Sequence, residues 1–212
     1  MSLPASARAL VIGGTGPTGP AIVNGLEHRG LTVTLFHTGR HEVDEVAHVE
    51  HLHGDPFSAE GVAEALSGRT FDVVVACYGR LRAIAEVLSG RCDRFVSVGG
   101  TPAYRGYFDP TRFDPPGLPI PTAEDAPRST QDDDGKSYRV ARTEDLLFAH
   151  QPSATHLRYP FVYGPRQIAP LDWCIVRRVL DRRPAIILPD AGLAAETRSF
   201  SEIGRASCRE RV

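Results

Sequence analysis

The sequence lacks both a long apolar run and a surplus of basic residues. Its 212 residues include 24 lysines and arginines against 26 acidic residues, a formal net charge of −2. Proteins that neutralise many nucleic-acid phosphates need a basic surplus. The apolar run at 9–12 ends in glycines, and it is too short for a membrane span or a signal peptide. The composition therefore predicts a cytoplasmic globular protein and disfavours membranes and nucleic acid as partners.

Cysteine is scarce too, and no CxxC pair occurs among Cys77, Cys92, Cys174 and Cys208. In a chain of this kind, such spacing favours buried reduced thiols over disulfides. The segment HVEHLH offers His48, His51 and His53 as other candidate metal ligands. On a strand the first two would point to opposite faces, so we predict no metal site.

The last eleven residues, Glu202 to Val212, show no hydrophobic period. Their sequence, EIGRASCRERV, resembles the in-frame translation of a common sequencing-library adapter. We therefore expect 202–212 to be an artefact and the natural chain to be longer. A natural basic C-terminus is the alternative.

Short apolar runs alternate with helical stretches along the rest of the chain. Buried strands are predicted at 9–13, 31–36, 49–53, 71–77, 93–99, 154–159 and 185–189. Amphipathic helices are predicted at 17–30, 58–68, 80–90, 136–150 and 172–183. This alternation predicts an α/β fold, a doubly wound parallel Rossmann sheet with helices on both faces.

The pattern divides the chain into a Rossmann domain at 1–165 and the start of a second lobe at 166–201. Residues 99–135 interrupt the first domain with seven prolines, which predicts a long loop. The acidic run Asp132–Asp134 within it indicates a solvated loop tip.

A glycine-rich turn, VIGGTGPTG at 11–19, joins the first strand to the first helix. It contains a GxxGxxG spacing. Glycines there allow a tight turn and let a pyrophosphate approach the free N–H groups of the helix. We expect a dinucleotide to contact Gly13, Thr15, Gly16, Pro17, Thr18 and Gly19. A tight turn without a ligand is the alternative.

The second strand ends in LFHTGR, with His37 where NAD-selective sites usually place an acidic residue. Because no carboxylate repels a 2′-phosphate and Arg40 follows, the segment favours NADP over NAD, although NAD stays open. Arg40 could equally be a solvated loop charge. Asp55 is a candidate acceptor for the adenine amino group, with capping of the next helix as its alternative role. Tyr78 is a further candidate cofactor contact.

The segments GGTGPTG, GDPF, FVSVGGTPAYRG and RYPFVYGPRQ resemble the ordered landmarks of the extended short-chain dehydrogenases/reductases, the NAD-dependent epimerase/dehydratase group. The similarity covers nearly all of 8–201. Within that group, TLFHTGR, GLPIPTAED and the segment 172–193 look like the branch that contains chloroplast stem-loop-binding proteins. The resemblance implies that 166–201 begins a substrate-binding lobe that the tail cuts short.

In that family a Ser or Thr after the fourth long strand and a YxxxK pair share a substrate proton. Here the Ser position is Gly100, with Thr101 the nearest hydroxyl, and the pair is Tyr138 and Arg142. The resemblance implies that Tyr138 moves the proton, Thr101 polarises the substrate oxygen and Arg142 orients the ribose. A Tyr and an Arg on one face of an ordinary helix are the alternative.

The resemblance also implies that Arg166 meets a phosphate or carboxylate of the substrate; a surface ion pair is its alternative. The function indicated is an NAD(P)-binding oxidoreductase or epimerase that acts on a sugar-like or other hydroxylated small molecule. A cofactor-binding sensor or interaction module without turnover is the second hypothesis, favoured by Gly100 and Arg142. Family members often form homodimers through helices flanking the sheet, here the segments 80–90 and 136–150.

Overall fold

A parallel sheet forms the centre of the computed structural model, which describes residues 6–108, 114, 118, 121–164, 166–167, 173–185 and 200–202. Its six strands are β1 (Arg8–Ile12), β2 (Thr32–His37), β3 (Glu50–His53), β4 (Phe71–Ala76), β5 (Cys92–Gly100) and β6 (Thr155–Tyr159). They lie in the order β3-β2-β1-β4-β5-β6, and every pairing is parallel. The predicted Rossmann sheet is confirmed.

Four helices cover the two faces of this sheet: α1 (Gly19–Glu27), α2 (Ala59–Leu66), α3 (Leu81–Val87) and α4 (Gly135–His150). Val23 of α1 packs on one face, with Val11 and Leu35. Residues of α2, α3 and α4 pack on the opposite face, around Leu10 and Phe36. Because both faces are buried, the central strands are apolar throughout rather than alternating, and the prediction of helices on both faces is confirmed.

The predicted loop at 99–135 contains local structure where the model describes it. β5 continues to Gly100, a short 3₁₀ turn follows at Thr101–Ala103, and Tyr104 forms an isolated antiparallel bridge with Arg128. Residues 109–113, 115–117 and 119–120 lie outside the described part.

The expectation of a solvated tip at Asp132–Asp134 is wrong for Asp133, whereas Asp132 is exposed and Asp134 is half-buried. Asp133 is only 7% exposed and lies 2.9 Å from Nε of Arg105. The Asp134 carboxylate accepts hydrogen bonds from the backbone N–H groups of Lys136 and Ser137. This cap starts α4, so the acidic run serves as a helix start.

Residues beyond the main sheet form a second, two-stranded parallel sheet and one more helix. β7 (Phe161–Tyr163) pairs with β8 (Phe200–Glu202), and α5 spans Trp173–Leu180. The predicted strand at 185–189 lies almost wholly outside the described residues, as do 203–212 and the structure around Cys208. In the described part of the chain, no helix has the length and apolarity that crossing a membrane would require.

Candidate functional site

The carboxyl edge of the sheet has a topological switch point between β1 and β4, because the chain runs outward from β1 in one direction and from β4 in the other. Ligands of open α/β sheets bind in the crevice at such a point. The glycine-rich turn follows β1 there, and the segment 77–80 follows β4. The fold thus brings the predicted turn and Tyr78 to the same edge.

Steric packing explains two of the three glycines of the GxxGxxG motif in this turn, which are Gly13, Gly16 and Gly19. Gly13 has a φ of +87°, and a Cβ at this position would lie 2.4 Å from Cβ of Tyr78. A Cβ at Gly19 would lie 2.0 Å from the carbonyl oxygen of Gly14. Neither position can hold a side chain without movement of the backbone or of a rigid part of its neighbour.

Gly16 differs from the other two glycines. Among the described atoms, a Cβ there would meet only the carbonyl oxygen of Gly13, at 3.3 Å. Its N–H donates to that same oxygen, and the N–H of Gly19 donates to the carbonyl of Gly16. The missing side chain at Gly16 therefore leaves open space outside the turn, which a ligand could use.

The other residues predicted in this turn lie close around it. Thr15 and Thr18 are buried, and Thr18 is the N-cap of α1 without a hydrogen bond from its side chain to the helix. Pro17 precedes this cap, and Pro20 lies in the first helical turn, where a missing N–H leaves no intrahelical bond unmade. The positive end of the α1 dipole faces the crevice.

At the end of β2, His37 is only 4% exposed and both its ring nitrogens contact the chain itself. Nδ1 accepts from the N–H of Gly39, and Nε2 lies 3.0 Å from Nδ1 of His51. Burial lowers the pKa of His37, although Glu42 opposes the shift. His37 therefore has no ring nitrogen directed at the crevice.

Arg40, in contrast, is exposed, and its guanidinium makes no hydrogen bond or ion pair with the described residues. Its backbone N–H donates to the Thr38 hydroxyl. The side chain is thus available at the edge beside the end of β2, as a reader of phosphate would be.

Asp55 and Tyr78 lie on the loops that follow β3 and β4. The Asp55 carboxylate accepts from the N–H of Phe57 at 2.8 Å, whereas the cap of α2 is Ser58, whose hydroxyl accepts from Gly61. The alternative capping role for Asp55 is therefore wrong. Phe57, which sequence reasoning did not single out, packs edge-on against Tyr78 with ring centroids 5.1 Å apart.

The predicted catalytic residues lie on two neighbouring segments, Thr101 on a 3₁₀ turn and both Tyr138 and Arg142 on α4. α4 packs against the 3₁₀ turn that contains Thr101. Tyr138 is half-buried and Arg142 is exposed. No hydrogen bond or ion pair joins these three side chains to one another.

A buried ionic cluster on the same helix was not predicted from the sequence. Glu144 is 1% exposed, and its carboxylate accepts hydrogen bonds from Arg158 at 2.7 and 2.8 Å and from Arg128 at 3.1 Å. Burial raises the pKa of Glu144, but the hydrogen bonds from Arg158 and the proximity of His156, whose Nε2 lies 3.4 Å from the carboxylate, outweigh it and bring the pKa down to about 2. This cluster joins α4 to β6, and it borders an open cavity of about 390 Å³.

Arg166 forms an ion pair with Glu45, in the loop after β2. This is the surface ion pair that stood as the alternative to substrate binding. Pro165 lies outside the described residues.

Cys77 and Cys92 are free thiols. Burial raises the pKa of Cys77 to about 12, and burial together with the charge of Asp93 raises that of Cys92 to about 11. Both are therefore protonated at neutral pH and unsuited to nucleophilic chemistry.

Several solved structures share this fold. UDP-glucose 4-epimerase of Thermus thermophilus, solved in complex with NAD, superposes with a TM-score of 0.67 and 21% identity over 94% of this chain and 72% of its own. dTDP-glucose 4,6-dehydratase of Bacillus anthracis, also with NAD, gives 0.68 and 15% identity over 95% and 69%.

The enzyme WbmG of Bordetella bronchiseptica, in complex with NAD, gives a TM-score of 0.65 and 16% identity over 85% of this chain. The chain spans 62% of the length of WbmG. No model of a protein family matches the sequence, and no curated protein matches it. The fold expected from the family resemblance is confirmed: this chain shares the Rossmann fold of these solved structures.

Proposed function

We propose that this domain binds a nicotinamide dinucleotide across the carboxyl ends of β1 and β4. The observation that carries the proposal is the packing of the turn at 13–19. Gly13 and Gly19 close the turn against its neighbours, while Gly16 leaves space at the helix N-terminus, where N–H groups and the helix dipole favour a pyrophosphate. Solved structures that share the fold are named as NAD complexes, which supports a nicotinamide dinucleotide as the ligand.

The adenosine half would lie over the ends of β2 and β3, with Asp55 and Tyr78 bordering it. Exposed Arg40, at the end of β2, supports NADP as the preferred form, because a guanidinium can pair with a 2′-phosphate. The side chain buried at the end of β2 is His37, which carries no negative charge that would repel that phosphate.

For the chemistry, we propose redox or epimerase-like action on a sugar-like or other hydroxylated small molecule. The bound cofactor would accept or donate a hydride. Tyr138 would move the hydroxyl proton of the substrate, and exposed Arg142 would contact the ribose and favour the tyrosinate by its charge. Thr101 would polarise the substrate oxygen. Two of the solved structures with this fold are named for enzymes of nucleotide-linked glucose, which supports a sugar-like substrate.

Binding is tested by fluorescence titration of the purified chain with NADPH and NADH in parallel. The decisive variant is Gly16→Val, since its side chain would fill the open space beside the turn without a backbone clash of the Gly19 kind. We expect its affinity for both cofactors to fall at least about tenfold. Gly25→Ala is the matched control, because its Cβ makes only an ordinary contact with Arg29, at 3.7 Å. A folded wild-type chain that binds neither cofactor would refute the proposal.

A cofactor-binding sensor without turnover is the second candidate, and Gly100 supports it. A Cβ at this position would lie 2.9 Å from Cδ of Pro102, so the local packing opposes a Ser where the family has one. Turnover of hydroxylated substrates by the cofactor-loaded protein, with loss of about 100-fold or more in Tyr138→Phe, would support the enzyme. Cofactor binding without turnover would support the sensor.

A further inference from the structure

Three histidines and a carboxylate converge at the outer edge of the main sheet, beside β2 and β3. We name this group the edge cluster; its members are His37, Glu42, His51 and His53. Their four candidate ligand atoms all lie within 4.8 Å of one another. Nothing in the proposed dinucleotide chemistry requires this arrangement.

Strand pairing explains why the histidines meet. His51 and His53 are two residues apart on β3, so their side chains share a face. The parallel register places His37, the last residue of β2, opposite His53. The loop that follows β2 then brings Glu42 onto the same group. The expectation of no metal site considered His51 and His53 with His48, which pairs with Glu27, and did not consider His37 or Glu42.

The shortest distances within the edge cluster are close to those of a tetrahedral ligand shell. Nε2 of His37 lies 3.0 Å from Nδ1 of His51, and the two Glu42 carboxylate oxygens lie 3.1 Å from His51 and 3.2 Å from His53. A further distance, from Glu42 to His37, is 3.8 Å. Metal–ligand bonds of 2.0–2.1 Å in a tetrahedron separate neighbouring ligand atoms by about 3.3 Å.

The hydrogen bonds of His51 leave its Nδ1 facing the Glu42 carboxylate, a contact that a positive charge between them would make favourable. Nε2 of His51 lies 2.9 Å from the carbonyl oxygen of Val46 and must donate to it. Nδ1 of a neutral His51 therefore carries no proton, yet it faces the Glu42 carboxylate, which is also an acceptor. Two acceptors 3.1 Å apart repel each other unless His51 is protonated or a metal ion lies between them. The bond to Val46 is also the kind of outer hydrogen bond that orients a metal-bound histidine.

We propose that the edge cluster binds one divalent transition-metal ion of the zinc type. Three imidazoles and one carboxylate suit Zn²⁺ or Co²⁺ rather than Mg²⁺ or Ca²⁺, which prefer oxygen ligands. Four protein ligands make a closed, structural site. The ion would fix the loop after β2 to the edge of the sheet. When Nε2 of His37 binds the ion, the ring proton must move to Nδ1. The hydrogen bond from the N–H of Gly39 to Nδ1 would then be lost.

His53 and Glu42 provide the best variants because about half of each side chain is exposed, whereas His37 and His51 are largely buried. His53→Gln and Glu42→Gln therefore remove a ligand with little effect on packing. His48→Gln is the matched control, since it changes a histidine of the same segment that lies outside the edge cluster.

The test uses tag-free full-length chain, stripped with a chelator that is then removed, and titrated with Zn²⁺ against a chromophoric competitor without any dinucleotide. We expect one ion per wild-type chain and an affinity at least about 100-fold lower in His53→Gln and Glu42→Gln, with His48→Gln unchanged. Wild-type chain titrated with Co²⁺ should show the strong visible absorption of four-coordinate cobalt. The proposal is overturned if the wild-type chain binds no stoichiometric ion, or if His53→Gln binds as tightly as His48→Gln.

Discussion

The glycine-rich turn at 13–19 and helix α4 are the two segments to which the family resemblance assigns cofactor binding and proton transfer, and they are built differently. In the turn, the residues assigned to function are themselves packed, with Gly13 and Gly19 in contact distance of rigid neighbours. In α4, the side chains of Tyr138 and Arg142 make no hydrogen bond or ion pair within the described structure, and the residue that anchors the helix is Glu144. The shape of the turn is therefore set within the chain by packing and backbone hydrogen bonds, whereas no described hydrogen bond or ion pair fixes the side chain of Tyr138.

The substitution with the largest expected effect is Gly19→Ala, which tests whether packing sets the shape of the turn. The added Cβ would lie 2.0 Å from a backbone oxygen that is itself part of the turn, so the turn must shift as a whole. We expect the free energy of unfolding to fall by about 3 kcal/mol, measured by urea denaturation. Gly16→Ala, where the nearest described atom is 3.3 Å away, should cost under about 1 kcal/mol. Equal losses would show that the turn is not set by packing at Gly19.

The anchor of α4 is tested by Glu144→Gln. The folded pKa of Glu144 is about 2 against an ordinary value of 4.5, which corresponds to about 3 kcal/mol of stability. Because the folded pKa is lowered, this contribution is complete above about pH 4.5 and disappears as the pH falls toward 2. Wild type and variant should therefore differ by up to about 3 kcal/mol at pH 7 and converge in acid.

Asp145→Asn is the control for this variant, since Asp145 also pairs with Arg128 but is 57% exposed. An exposed pair contributes under about 1 kcal/mol. A gap between wild type and Glu144→Gln that stays constant from pH 7 to pH 3 would mean that Glu144 acts through packing rather than charge.

The same contrast explains how far the sequence could predict this molecule. The six strands of the main sheet and the glycine-rich turn follow from local patterns, apolar runs and glycine spacing, and they lie where they were predicted. The ionic cluster of Glu144 combines residues from α4, β6 and the loop before α4. A charged residue in a helix ordinarily indicates a solvated face, so no local pattern distinguishes Glu144 from its exposed neighbour Asp145.

The edge cluster could be predicted from the sequence only in part. Alternation along β3 does place His51 and His53 on one face, and this could have been inferred from the sequence. Their meeting with His37 depends on which strands are neighbours and in which register, and Glu42 depends on the path of a loop. These are properties of the assembled sheet, which short-range patterns do not specify.

The smallest expected effect is on the preference between NADPH and NADH. It tests whether Arg40, just beyond the end of β2, takes part in cofactor binding together with the glycine-rich turn. Arg40→Ala should weaken NADPH binding by about 1 kcal/mol, roughly fivefold, while NADH binding stays unchanged, because only NADPH presents a 2′-phosphate to the guanidinium. His41→Ala, a neighbouring change in the same exposed loop, should alter neither affinity. Fluorescence titration of each variant with both cofactors measures the difference. If Arg40→Ala weakens both equally, Arg40 reads a group common to the two, and the preference for NADP loses its support.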